Sequence, residues 1–194
     1  MQAIIEGAGI FIYPLGLCSF LAVFIIIERL IALRTSRVMP EHLAEAFISG
    51  DIASYPGDFN SVAGRIVYFF RRTNSDADAL KSFARLEIAR LERGLFILEI
   101  CYVGAPLLGL LGTIVGLSHV FSTQVSKGQI TNVADFGPPI SLALSTTMLG
   151  LCVAIPALVG NSYLNRRVEL LSARLDMGVE RLIDLAKHKP APPP

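Results

Sequence analysis

The chain has 194 residues, of which 53% are hydrophobic, and a formal net charge of +1; its mean hydropathy is +0.57. A soluble domain of this length is rarely so apolar, and the balanced charge excludes the strongly basic footprint of a nucleic-acid binder. The three cysteines, Cys18, Cys101 and Cys152, fit neither a zinc nor a redox spacing and read as buried structural thiols.

Three segments reach the length of about 20 apolar residues that a bilayer crossing needs. They are roughly Ala8 to Leu33, Gly94 to Phe121 and Phe136 to Leu164. The first has no basic leader, since Glu6 is its only early charge, and it is too long for the core of a secretory signal; it reads as a retained membrane helix. The resulting organisation is a first membrane helix at 1–33, a helical segment at 34–93, a second and third membrane helix within 94–164 joined by a short polar loop at 122–135, and a helical tail at 165–194 with a disordered end.

Within 34–93, Pro40 opens a short helix through Ile48 that Gly50 ends. Asn60 or Ser61 caps a second helix through Arg71, and Asp76 or Asp78 caps a third with Leu80, Phe83, Ala84, Ile88 and Leu91 on one stripe. No Pro or Gly interrupts this third helix before Gly94, which predicts that it runs straight into the second membrane span. The tail repeats Val168, Leu171, Leu175, Val179, Leu182 and Leu185 at spacings of three or four, a stripe that needs a partner surface either in the same subunit or in a neighbour.

Arg and Lys crowd the segment from Arg29 to Arg93 and the tail from Arg166 to Lys189, whereas the 122–135 loop has only Lys127. The positive-inside rule therefore places the N-terminus and that loop outside, and the middle segment and tail in the cytoplasm.

The second span contains Thr113 among Gly109, Gly112 and Gly116, and the third contains Ser141, Ser145, Thr146 and Thr147. Small residues let membrane helices approach closely, so the glycines read either as packing contacts alone or as one wall of a narrow wet path lined by the hydroxyls. Thr146 and Thr147 point about 100° apart on a helix, so only one of them faces a given lumen. Pro106 and Pro156 each free a carbonyl within their span. Glu99, in the inner half of the second span, reads as a group at a cytoplasmic mouth or a subunit contact, while Glu28 beside Arg29 reads as a local pair and His119 as an interfacial group. No carboxylate lies at mid-depth in any span. A proton path through the bilayer centre needs a titrating group, so if this chain conducts protons another helix must supply it.

Three stretches carry a resemblance. They are Leu17 to Arg34 (LCSFLAVFIIIERLIALR), Ala105 to Leu117 (APLLGLLGTIVGL) and Leu144 to Ala157 (LSTTMLGLCVAIPA). Together they resemble the MotA/TolQ/ExbB family of ion-channel stator subunits, most closely its ExbB/TolQ-like branch, and the likeness covers nearly the whole chain in order, length and topology. It implies an all-α integral membrane protein of the bacterial inner membrane, with three spans and long cytoplasmic helical extensions, assembled as a homopentamer. It implies an ExbD-like or TolR-like pair of single-span partners that supplies a membrane aspartate, and a TonB-like or Tol-type periplasmic partner. Thr113 and Thr147 match the pore threonines of the two motifs, with Thr146 and Ser145 alongside, and the transported ion is H+, with Na+ the alternative. No cofactor is implied. Many relatives carry a glutamate five residues before the third-helix threonine; here that position is Leu142, a local pattern closer to the four-helix MotA-like branch.

No nucleophile–base pair, metal cluster or phosphate loop is present in the sequence, so an enzyme is not expected. Two other classes compete with the motor subunit. A haem- or quinone-binding anchor would need paired intramembrane histidines, and only His119 is available. A non-conducting scaffold would keep the helix packing and tolerate loss of the threonine hydroxyls.

Overall fold

The computed structural model describes residues 9–49, 59–72, 76–126 and 137–187. Every element among them is a helix: a 3-10 turn at Gly9–Phe11 leading into α1 (Ile12–Ala32), then α2 (Thr35–Val38), α3 (Glu41–Ser49), α4 (Val62–Arg72), α5 (Ala77–Leu91), α6 (Leu95–Ser126) and α7 (Gly137–Lys187). Three helices are long and apolar enough to cross a membrane. The chain divides into two compact units, one formed by Met1–Ile27 with Gly94–Ser162 and the other by Glu28–Arg93 with Tyr163–Pro194.

In the first unit α1 packs on α6 and α7 through a narrow stripe. Leu15 clusters with Ala105 and Ala154, edged by Leu108, Leu149 and Val153, while Ile10 of the 3-10 turn and Tyr13, Phe20 and Phe24 of α1 are exposed. Only 17% of the apolar window in α1 is buried, and 28% in each of the other two. An apolar surface that bare is compatible with hydrocarbon or neighbouring helices as its solvent, not with water. Of the three thiols, Cys101 is buried and Cys18 half-buried, but Cys152 is exposed, so the expectation of three buried thiols fails at Cys152, which faces out of an apolar helix.

The second unit builds an ordinary core. The Ser61 hydroxyl accepts from the Gly64 amide at 3.1 Å and starts α4; Asp76 caps α5 by accepting from the amides of Asp78 and Ala79, each satisfying donors that the first turn leaves free. Pro40 precedes α3, and its carbonyl accepts from Leu43 and Ala44; Gly50 lies outside the described residues. Phe69 of α4 stacks on Phe83 of α5 with ring centroids 4.3 Å apart. Leu80, Ala84 and Leu91 are buried as their stripe predicts, and so are Val168, Leu171, Leu175, Val179 and Leu182 of α7. The tail stripe is thus covered within its own subunit, with Gly178 packed against the Phe47 ring.

Two boundaries differ from the sequence reading. α5 does not run into α6: it stops at Leu91, and Gly94 sits at φ 92°. That left-handed conformation suits a residue without a Cβ and ends a helix, after which the Gly94 carbonyl accepts from Ile97 and Leu98 to begin α6. The expected continuous helix is thus broken at the glycine where the second span was to begin. At its other end α6 continues to Ser126, so the first residues of the expected loop are helical. Residues 127–136 and 188–194, including the rest of that loop and the expected disordered end, lie outside the described residues.

One side chain in the α5 stripe is charged. Glu87 is 1% exposed and accepts from Arg65 Nη2 at 2.5 Å, Arg65 Nε at 3.1 Å and Arg90 Nη1 at 2.6 Å. A buried carboxylate persists only when its charge and lone pairs are met. Removing one cation is therefore worse than removing the whole group. Arg65→Leu should cost about 2 kcal/mol, a figure below that for a fully buried pair because Arg65 is partly solvated, whereas the double variant Arg65→Leu/Glu87→Leu should recover most of that loss. Denaturant unfolding of the detergent-solubilised protein, followed by helical signal, checks both.

Candidate functional site

The seam between α6 and α7 is built from residues that lack bulk. On α6 the row is Ala105, Gly109, Gly112 and Gly116; on α7 it is Ala143, Thr146, Gly150 and Ala154, each spaced three or four apart. The rows run antiparallel. A Cβ on Gly109 would lie 2.8 Å from the Thr146 carbonyl oxygen and 2.9 Å from Thr147 Cα, and one on Gly150 would lie 2.6 Å from the Ala105 carbonyl oxygen. These are backbone atoms, so neither position has room for any side chain. Gly112 faces the Thr146 side chain, with a Cβ position 2.9 Å from Oγ1, and Gly116 faces Ala143 at 3.1 Å. Backbones this close maximise dispersion and bring hydroxyls within reach of carbonyls on the facing helix.

The hydroxyls use that proximity. Thr146 Oγ1 donates to the Ala143 carbonyl at 2.7 Å, with the Gly109 carbonyl of the facing helix at 3.0 Å. Thr147 Oγ1 donates to the same Gly109 carbonyl at 3.2 Å. Thr113 Oγ1 donates to Leu110 O at 2.7 Å and Ser145 Oγ to Ser141 O at 3.0 Å, both within their own helices. Thr146 is 1% and Thr113 7% exposed, whereas Thr147 and Ser145 are half-buried. The structure therefore brings Thr146 and Thr147 together on one carbonyl of the facing helix, with Thr146 buried and Thr147 half-buried. Ser145 lies apart from them.

Pro106 is half-buried and Pro156 exposed, both inside unbroken helices. Glu99 is exposed on α6. Glu28 pairs with its neighbour Arg29 at 3.1 Å. Leu142 lies on α7, but its side chain is outside what is described.

Two residues of α7 escaped the sequence reading. Gly150 completes the contact that Gly109 begins, and Asn161, 6% exposed, lies further along the same row of α7; its Oδ1 has no hydrogen-bond partner among the described residues. The signal is in the sequence: Ala143, Thr146, Gly150, Ala154, Ala157 and Asn161 recur at three and four, a row of mostly small residues on the face that carries Thr146.

These features define a multi-pass helical membrane protein whose second and third spans meet along a glycine and threonine seam with no ionisable side chain in it. The model of the MotA/TolQ/ExbB proton channel family matches residues 70–177. The chain is 30% identical over 195 residues to the biopolymer transport protein exbB1 of Vibrio cholerae, covering 91% of this chain and 84% of that one. It is 32% identical over 176 residues to the biopolymer transport protein ExbB of Helicobacter pylori, covering 90% and 92%. A shorter match, 38% over 87 residues, links it to ExbB of Neisseria gonorrhoeae, covering 45% and 39%. The chain belongs to the MotA/TolQ/ExbB proton channel family.

The seam makes a sharp demand on two positions. Gly109→Ala and Gly150→Ala should each force the α6 and α7 backbones apart and lower the midpoint of thermal unfolding in detergent by roughly 5–10 °C, the scale expected for about 1–3 kcal/mol of overpacking. Gly16→Ala, where a Cβ meets nothing within 4 Å, should leave the midpoint unchanged in the same measurement.

Proposed function

We propose that this chain is the ion-conducting stator subunit of an ExbB-like energiser in a bacterial inner membrane, using the proton motive force to drive TonB-dependent transport. In this reading five copies enclose a pair of single-span ExbD- or TolR-like helices, each bringing one membrane aspartate. The N-terminus is periplasmic and the C-terminus cytoplasmic. The chain works as a channel and energiser, not as an enzyme.

The observation that carries the reading is the chemistry of the seam. Between Glu99 and His119 on α6, and from Gly137 to Asn165 on α7, there is no Asp, Glu, Lys, Arg or His, yet hydroxyls recur at mid-span. Hydroxyls relay or hold a proton-bearing group without titrating themselves, and a proton crossing hydrocarbon needs a titrating site. A partner carboxyl beside Thr147 and Thr113 supplies what this chain lacks. The family match and the ExbB relatives that cover most of the chain support the same assignment, and proton fits them better than sodium. The balance of basic residues supports the orientation.

A second reading, a non-conducting scaffold, draws on a specific observation: each of the four hydroxyls already donates to a backbone carbonyl of the same chain, so each has a packing role available. A Tol-Pal-type process in place of a TonB-type one would leave the seam chemistry unchanged and would differ only in the periplasmic partner.

Native mass measurement on detergent-extracted protein, co-expressed with a single-span protein that has a membrane aspartate, separates the readings. Five copies with two partner chains is the expected mass; a monomer or dimer that ignores such partners would overturn the stator assignment. In proteoliposomes of that complex, Thr113→Val and Thr147→Val should each reduce proton flux about tenfold or more, corresponding to roughly 1.4 kcal/mol at the limiting barrier, with native mass unchanged. The scaffold reading expects both variants to be silent.

A further inference from the structure

Glu99 is an acidic side chain on a membrane helix that the seam does not use. It is exposed on α6, beside exposed Phe96, Ile100 and Val103, and it has no ion pair or hydrogen bond among the described residues. α6 begins just after Gly94, the left-handed break. Irregular backbone survives at a membrane only where protein or water meets its polar groups, so Gly94 marks the wet inner end of the span. Glu99 stands five residues deeper, about 7–8 Å at the helical rise. A carboxylate at that depth is costly unless it is paired, neutralised or wet.

Pairing is what the sequence denies it. Residues 1–27 and 94–162 contain no Arg, and their one Lys, Lys127, flanks the opposite ends of the spans, as do Glu6 and Asp135. A second copy of the same unit therefore brings no cation to the level of Glu99. His119 lies about 30 Å away along α6. The other titratable side chains on the packed elements are Cys101 and Tyr102 of α6, Cys18 of α1 against Cys101, Tyr13 of α1 and Cys152 of α7; none of them can offer a cation. That leaves neutralisation by a proton, or water.

The face of α6 that carries Glu99 favours both. Glu99, Pro106 and Thr113 stand seven apart, and a helix drifts only about 20° over seven residues, so the three share one stripe bordering the seam. Pro106 has no N–H for the carbonyl four residues back, which leaves the Tyr102 carbonyl as an acceptor for water between Glu99 and Thr113. Thr113 lies about 21 Å further along the helix.

We propose that Glu99 is a proton-release group at the inner end of the ion path, a second titrating site that this chain itself supplies. This deepens the stator reading and rests on it, since the proton reaches Glu99 from the partner's carboxyl. The partner's acid loses its proton to water on the stripe, the Glu99 carboxylate takes that proton and becomes neutral, and the neutral acid then gives it to water at the inner mouth. Both carboxyls end as they began, and one proton has crossed. The neutral interval also removes the cost of a charge facing hydrocarbon.

Two measurements on the complex with its single-span partner test this. Dicyclohexylcarbodiimide attaches to protonated carboxyls in apolar surroundings; in nanodiscs it should modify Glu99, on a peptide of this chain that mass spectrometry separates from the partner's, and the modification should fade as pH rises. In proteoliposomes Glu99→Gln should lower proton flux about tenfold or more, as loss of a proton-transfer group does, with native mass and thermal midpoint unchanged. Glu99→Asp, which keeps the carboxyl, should recover most of the flux. Three results would overturn the release role: unchanged flux in Glu99→Gln, an altered native mass or failed assembly of that variant, which makes Glu99 a subunit contact, or no modification of Glu99 under conditions that modify the partner's carboxyl. Failure of the stator reading has an earlier signature. The wild-type chain then retains no single-span partner and passes no protons, and the release role falls with it.

Discussion

The approach of the α6 and α7 backbones at Gly109 and Gly150 is the constraint on which the rest of the membrane unit depends. Lipid tails are as apolar as leucine, so helices in a bilayer gain little by hiding apolar surface from one another. What holds them is dispersion at short range and hydrogen bonds that water does not compete for. Both need backbones within a few ångströms. A Cβ at Gly150 would sit 2.6 Å from the Ala105 carbonyl, and that same closeness lets Thr146 and Thr147 both reach Gly109. Bulk at either glycine would remove the packing and the hydroxyl geometry together.

The second unit solves a different problem with different means. Its helices bury leucine, isoleucine and valine in the usual way, and the buried charge among its described residues, Glu87, is met by two arginines. Arg65 and Arg90 remain partly exposed, so the pair keeps some solvation while the carboxylate is enclosed. Such an arrangement adds little net stability compared with an apolar core. Its effect is to fix which faces of α4 and α5 meet, alongside the Phe69 and Phe83 stack. Between Glu99 and His119 of α6 and from Gly137 to Asn165 of α7 the sequence has no Asp, Glu, Lys, Arg or His.

Much of this was legible in the residues. Apolar runs of membrane length marked the spans, Asn60 or Ser61 and Asp76 or Asp78 announced two helix starts at which Ser61 and Asp76 accept from first-turn amides, and the heptad-like stripe of the tail named its own buried face. The failures have physical causes. Glu87 lies among the apolar residues of the α5 stripe, and periodicity alone cannot tell a solvated carboxylate from one enclosed by distant arginines. Gly94 was visible, but whether a glycine breaks a helix depends on its φ, which composition does not encode. In the site, the glycines and threonines were legible as a set. That Thr146 and Thr147 both reach Gly109, one buried and one half-buried, was not, because it depends on the rotation of α7 against α6 and on the close approach at Gly150.

An uncharged seam also bears on how such a chain reaches its place. An ionised side chain at the centre of a membrane helix costs about 2.5–3.5 kcal/mol on insertion scales. In the proposed five-fold ring that cost would recur in every copy, and the like charges would repel across a narrow lumen. Hydroxyls whose protons are spent on backbone carbonyls avoid both penalties, and each copy can insert and pack before any partner arrives. In that proposed ring the titrating group would enter once per partner helix and would meet the same uncharged wall in every copy. Near-equal sites around a ring mean small differences between successive positions. Against these, the roughly 2.3 kcal/mol that one charge gains per 100 mV of membrane potential is enough to give the motion a direction.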